Sequence, residues 1–247
     1  MEYCAEKQLT RLRQHVLAAS SSSSPATAVA AALDGVARVY EHAEPLARSA
    51  RAEEVEDELR ASVELLDACA AARDALGAMR ACALDMEAAA RRGDGAAAAG
   101  AARAYARVAR KACADARRLR RENAAAADGG HALQEARRLA AAVLERVVVP
   151  LSKRVAAAAA PGAQRPAGAG WSTCVARAFR KRARVACEED AGEAVVGSLS
   201  SKDLHDGEAR RELRALGDTI QHLEDGLDLL FRRLVQCRVF LLNMRSL

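Results

Sequence analysis

Aromatic residues make up only 3% of this 247-residue sequence: one Trp, three Tyr and three Phe. Their scarcity removes most of the side chains that favour pleated strands, and with alanine in excess the composition is helix-forming throughout. A core without aromatic bulk has to be built from Leu and Ala by close helix approach, which buries less area per residue. Long apolar runs are missing too. No stretch of about eighteen consecutive apolar residues occurs, so no conventional membrane span is expected. The seven cysteines, Cys4, Cys69, Cys82, Cys113, Cys174, Cys187 and Cys237, contain no Cys-x-x-Cys pair. An odd count outside a short secreted framework favours a reducing compartment. Cys69 and Cys237 fall on apolar stripes, where a thiol serves as a small hydrophobe.

Catalytic chemistry is also lacking. The five histidines are scattered without metal-ligand spacing, and neither a phosphate loop nor a nucleophile–His–acid set is present. No enzyme, metal or cofactor is therefore expected. The net charge of +5 is mild, and acids and bases are mixed along most helices, so nucleic-acid binding is not implied. The start, Met1 to Gln14, is too charged for a secretory signal. Arg11 and Arg13 beside Leu9, Leu12 and Val16, followed by Ser20 to Ser24, resemble a transit peptide, which Glu2 and Glu6 oppose. The expected compartment is the cytoplasm, with the membrane surface, nucleus and plastid as alternatives.

What the sequence does contain is a seam. Between Glu208 and Met244, residues Leu213, Leu216, Ile220, Leu223, Leu227, Leu230, Leu234, Cys237, Leu241 and Met244 are spaced alternately three and four apart, the a/d pattern of a heptad repeat. Such a stripe must be covered, because exposed leucines at that density would aggregate or bind. Cover from the same chain is the expectation, and self-association through this helix is the alternative. Gly217 and Gly226 interrupt the helix at about 1 kcal/mol each relative to Ala, which points either to a neighbouring backbone coming close or to a tolerated imperfection. Beyond Leu230 the apolar surface widens to Phe231, Val235, Val239, Phe240 and Leu242. That end is either fully buried or a docking surface for protein partners. Glu224, Asp225 and Asp228 with Arg232 and Arg233 read as a solvated face, Asp228 and Arg232 being an i,i+4 pair.

The chain ahead of the seam reads as helices broken by turns. A short amphipathic helix over Lys7 to Ala19 is followed by the serine linker, and Ser24-Pro25 opens a helix carrying Val29, Leu33, Val36, Tyr40 and Ala43 that Pro45 ends or bends. A long helix runs from Ala52 to Arg91, with Glu53, Glu54, Glu56 and Asp57 in its first turns and Gly93-Asp94-Gly95 beyond its end. Ala96 to Ala125 is helical with a thin apolar side, and its outer side carries Arg103, Arg107, Arg110, Lys111, Arg117, Arg118, Arg120 and Arg121. The next helix starts near His131 and is kinked or stopped by Pro150. The division is 1–24 flexible or amphipathic, 25–160 helical bundle, 161–170 a Pro/Gly linker, 171–206 a basic helix with an acidic loop, and 207–247 the terminal core helix, with Asp206 its cap. The fold class is all-α, an elongated up-down bundle.

Trp171 and the cations Arg177, Arg180, Lys181, Arg182 and Arg184 form the other candidate site. Such a cluster suits weak contact with anionic lipid or nuclear import, against a solvated helix paired with Glu188, Glu189, Asp190 and Glu193.

The run from Ile220 to Asn243, centred on Leu227-Asp228-Leu229-Leu230-Phe231-Arg232-Arg233-Leu234, resembles the closing signature of the plant BYPASS-related family. Leu65-Leu66-Asp67-Ala68-Cys69 with Arg73-Asp74-Ala75-Leu76 is similar to that family's central motif, and Trp171 with Cys187-Glu188-Glu189-Asp190 to its pre-terminal segment. The likeness spans nearly the whole chain in order, though helices one, three and four carry less apolar bulk than the family pattern. It implies a non-enzymatic protein of root and shoot development acting through control of a mobile signal. A helical scaffold or adaptor binding protein partners is the expected function, and a peripheral membrane protein held by the Trp171 segment is the alternative.

Overall fold

The computed structural model describes residues 7, 9–11, 13, 14, 25–48, 50–125, 132–159 and 201–246. Every regular element among them is helical: α1 (Pro25–Glu41), α2 (Ala43–Arg48), α3 (Ala52–Arg92), α4 (Gly95–Ala125), α5 (Ala132–Ala159) and α6 (Ser201–Arg245). Residues 7, 9–11, 13 and 14 are helical as well, and Leu9 joins the core.

Local sequence sets most of the boundaries. Pro25 occupies the first position of α1, where its missing N–H costs nothing. The break after α1 comes at His42, ahead of Pro45, which sits in the first turn of α2 where proline is tolerated. The Arg51 N–H donates to Glu54 Oε2 at 2.8 Å and closes the start of α3. Its far end is a glycine cap: Gly93 has φ 69°, the left-handed region, and the Asp94 N–H reaches back to the Ala89 carbonyl at 3.0 Å. Asp94 then accepts from the Ala97 N–H at 2.9 Å, so one short turn ends α3 and starts α4.

Of the two effects expected of Pro150, a kink or a stop, the stop does not occur: α5 continues to Ala159. Val147, Val148 and Leu151 are buried on both sides of the proline, and that packing outweighs its cost of about 3 kcal/mol. The terminal helix begins at Ser201, so Asp206 lies inside it and is not its cap.

The helices pack as an up-down bundle in which α3 and α6 run antiparallel along their length. Every seam residue from Leu213 to Leu241 is buried, and Met244 is half-buried. Their cover comes from α3, which offers Leu59, Leu65, Cys69, Leu76, Met79 and Met86, and from α1, which offers Leu33 and Val36. The seam is thus an interior feature of one chain. Charged pairs track it on the surface: Glu56–Arg245 at 3.2 Å, Arg73–Asp228 at 3.1 Å and Glu87–Arg214 at 2.6 Å. Asp228 is taken by Arg73 across the helix pair, not by Arg232 within α6.

The α4–α5 side is built differently. Ala98, Ala102, Ala106, Ala109 and Ala116 make up most of the buried stripe of α4, with fully buried Tyr105 and, further along, Leu119 as its large anchors. The phenol donates to the Leu151 carbonyl at 3.4 Å, a long bond just past the proline. Of the three glycines of α6, only Gly226 is crowded: a Cβ there would stand 3.1 Å from Leu33 Cδ1, whereas nothing lies within 4 Å at Gly207 or Gly217. Gly226 thus has a close neighbour, a side chain and not a backbone, and Gly217 stands as a tolerated imperfection.

Candidate functional site

The lower end of the bundle gathers the start of α3, the start of α5, the end of α1 and the end of α6. Here the apolar surface of α6 outgrows its cover. Phe231 and Phe240 are half-buried against the core, and the Arg73 guanidinium lies 5.8 Å from the Phe231 ring centroid. Val235, Val239 and Leu242, four and three residues apart, form one stripe on a flank of the helix and stay 38%, 51% and 40% exposed. The widened end is therefore divided, aromatic rings inward and aliphatic residues outward.

Beside that stripe runs a shallow groove of about 460 Å³ between α3 and α6. Leu59, Val63 and Leu242 supply apolar walls, and Glu56, Arg60, Glu64 and Arg245 the charged rim. Arg238 forms its base, donating to the Leu59 carbonyl and, at 2.7 Å, to Ser62 Oγ, which itself donates to the Leu59 carbonyl at 2.9 Å. A guanidinium held by neutral oxygens keeps its positive field for whatever enters the groove. With Val63 41% exposed opposite Leu242, the opening presents aliphatic carbon between charges of both signs.

Behind the groove lies a polar group that the sequence analysis did not single out. Glu58, 3% exposed, faces Arg137 of α5, whose Nε stands 3.6 Å from Glu58 Oε2, too long for a hydrogen bond. The Glu58 Oε2, the Arg137 Nε and the hydroxyl oxygen of buried Tyr40 all lack hydrogen-bond partners. Burial pushes the Glu58 carboxyl above its ordinary range, and Arg137 only partly opposes that. The Tyr40 phenol is raised well above its usual value by burial and then by the Glu58 charge. The nearby thiols follow the same physics: burial takes Cys69 up to about 12, and burial with the Glu58 charge takes Cys237 up to about 12. Both remain protonated at neutral pH and are poor nucleophiles. Their place in the core matches the reading of them as small hydrophobes.

The signal for Glu58 was available in the spacing. Val55, Glu58, Leu59 and Ser62 fall on one side of α3, and all four are buried. Among the described residues no group of three His, Cys, Asp or Glu side chains could hold a metal ion, and no helix is long and apolar enough to cross a membrane. Trp171, Arg177, Arg180, Lys181, Arg182 and Arg184, together with the 161–170 linker, lie outside the described residues.

Comparison with known proteins gives one result. The family described as Protein BPS1 matches residues 27–244, nearly the whole chain and every helix from α1 to α6. No curated protein matches, and no solved structure does.

Proposed function

This chain belongs to the Protein BPS1 family, the BYPASS-related family that its C-terminal run resembles, and from that premise we propose that it is a non-enzymatic helical adaptor. Membership fits a role in plant development. Within that role, the adaptor holds a protein partner at the lower end of the bundle and so takes part in the control of a mobile signal in root and shoot. The observation that carries this reading is the uncovered stripe of Val235, Val239 and Leu242 beside the α3–α6 groove, on a helix whose other large apolar residues among those described, Leu229 apart, are covered or half-covered by its own chain. An aliphatic strip flanked by Arg60, Arg238 and Arg245 has the make-up of a protein-binding patch, an apolar centre with a charged rim.

The test is a surface substitution that spares the core. Val239→Glu with Leu242→Glu should leave helicity and thermal midpoint unchanged and remove a defined set of neighbours in proximity labelling of root tissue. An identical set of neighbours for the variant and the natural chain would refute the adaptor reading.

A further inference from the structure

The charge of this protein is concentrated on one helix. Residues Gly95–Ala125 carry eight cations against two carboxylates, Asp115 and Glu122, so α4 alone holds more positive charge than the +5 of the whole chain. Part of it is neutralised at one end: Arg117 and Arg120 approach Glu145 of α5 at 3.6 and 2.7 Å, and Arg118 pairs with Glu122 at 2.8 Å beside the charges of Asp115 and Glu64. Arg103, Arg107, Arg110, Lys111 and Arg121 make no ion pair among the described residues, and all five are exposed. They recur at helical spacing along one outer face over roughly 27 Å, from the rise of about 1.5 Å per residue. Because α4 packs on α3 and α5, that face looks away from α1 and α6.

We infer that this face of α4 is a docking surface for an anionic lipid bilayer. Its shape and composition argue against the other polyanions. A helix flanked on both sides by packed neighbours cannot enter a major groove about 12 Å wide. Single-stranded nucleic acid requires aromatic platforms, and the one aromatic residue of α4, Tyr105, is fully buried. A protein partner would anchor on large apolar or aromatic side chains, whereas the one exposed apolar residue between Arg103 and Arg121 is Ala114. A plane of phosphate and carboxylate head groups asks only for a straight row of cations, and arginine forks match phosphate oxygens two at a time. With no apolar strip to insert, the contact is electrostatic and screened by salt. It leaves the α3–α6 groove free, and it uses residues distinct from the Trp171 segment.

Vesicle flotation of the full chain tests this. Phosphatidylcholine vesicles containing phosphatidylserine should bind the protein at low salt and release it at high salt, and pure phosphatidylcholine should not bind. Combined Arg103→Gln, Arg107→Gln, Arg110→Gln and Lys111→Gln should keep the helicity and lose affinity by about fivefold per charge, on the order of several hundredfold in all. Replacing the three arginines by lysine should retain most of the binding. Neutralising Arg177, Arg180, Lys181, Arg182 and Arg184 instead should leave it largely intact. The inference is overturned if the natural chain ignores the anionic vesicles, if the α4 glutamine variant binds them unchanged, if only the 177–184 variant loses binding, or if duplex DNA competes the vesicles away at equal charge.

Discussion

Two carboxylates on α3 are both buried, and their surroundings treat them in opposite ways. Glu87, near the upper end, accepts from Arg91 and Arg214 at 2.6 Å each, and those bonds hold its carboxyl below the ordinary range. Glu58, near the lower end, has one guanidinium at 3.6 Å, and burial drives it above that range. The difference lies in the partners. Arg91 and Arg214 are more than half exposed and bring their charge in from water, whereas the Arg137 side chain is only 12% exposed and gives up most of its solvation to face Glu58. One end of the bundle is closed by a buried carboxylate satisfied by two arginines that reach water, and the other holds an incomplete pair behind the open groove. Incomplete polar satisfaction is common where a fold is committed to something besides stability.

The comparison breaks most visibly if Glu58 is removed. Glu58→Ala leaves the largely covered Arg137 without a counter-charge, and urea unfolding should show a loss of about 3 kcal/mol. Glu87→Ala, whose arginines can return to water, should cost about 1–2 kcal/mol in the same assay. Acidity separates the two again. The folded state holds the Glu58 proton more tightly than the unfolded chain, so its contribution is complete below the ordinary carboxyl value of 4.5 and is lost as pH rises through the raised value. Glu87 contributes above 4.5 and loses that contribution as pH falls through its lowered value. Glu58→Gln should therefore alter the pH dependence above 4.5 and Glu87→Gln the dependence below it, read from unfolding midpoints across acid to neutral pH. The smallest effects come from glycine. Gly217→Ala, in open space, should stabilise by about 0.5–1 kcal/mol, and Gly226→Ala, meeting Leu33, should gain less or lose.

The lower end was also the harder one to read. The seam was legible because ten positions obey one spacing, and a spacing that regular has a single buried face. Glu58 was hidden by its own chemistry. It follows Glu53, Glu54, Glu56 and Asp57, a run that reads as helix-start charge, and only its phase with Val55, Leu59 and Ser62 reveals burial. Pro150 does not end α5 because core packing outweighs the local rule, and Asp206 is no cap because a good capping residue is not obliged to cap. The widened end of α6 was recognised as a region, but sequence spacing alone did not separate Phe231 and Phe240, turned inward, from Val235, Val239 and Leu242, turned outward. That division depends on where α1 and α3 stop covering, which is a property of the assembled bundle.

The matched spacing of the α3–α6 surface pairs constrains how the length of the chain can change. The interval from Glu56 to Arg73 equals that from Arg245 back to Asp228, and the interval from Arg73 to Glu87 equals that from Asp228 back to Arg214. Removing one residue from either helix would rotate everything beyond it by about 100° and put leucines where arginines stood. A change of seven residues keeps the two faces nearly in phase but slides the charges past one another unless the partner helix changes too. Neither helix can therefore be lengthened or shortened alone, and tolerance for insertion falls to the turns, as at His42.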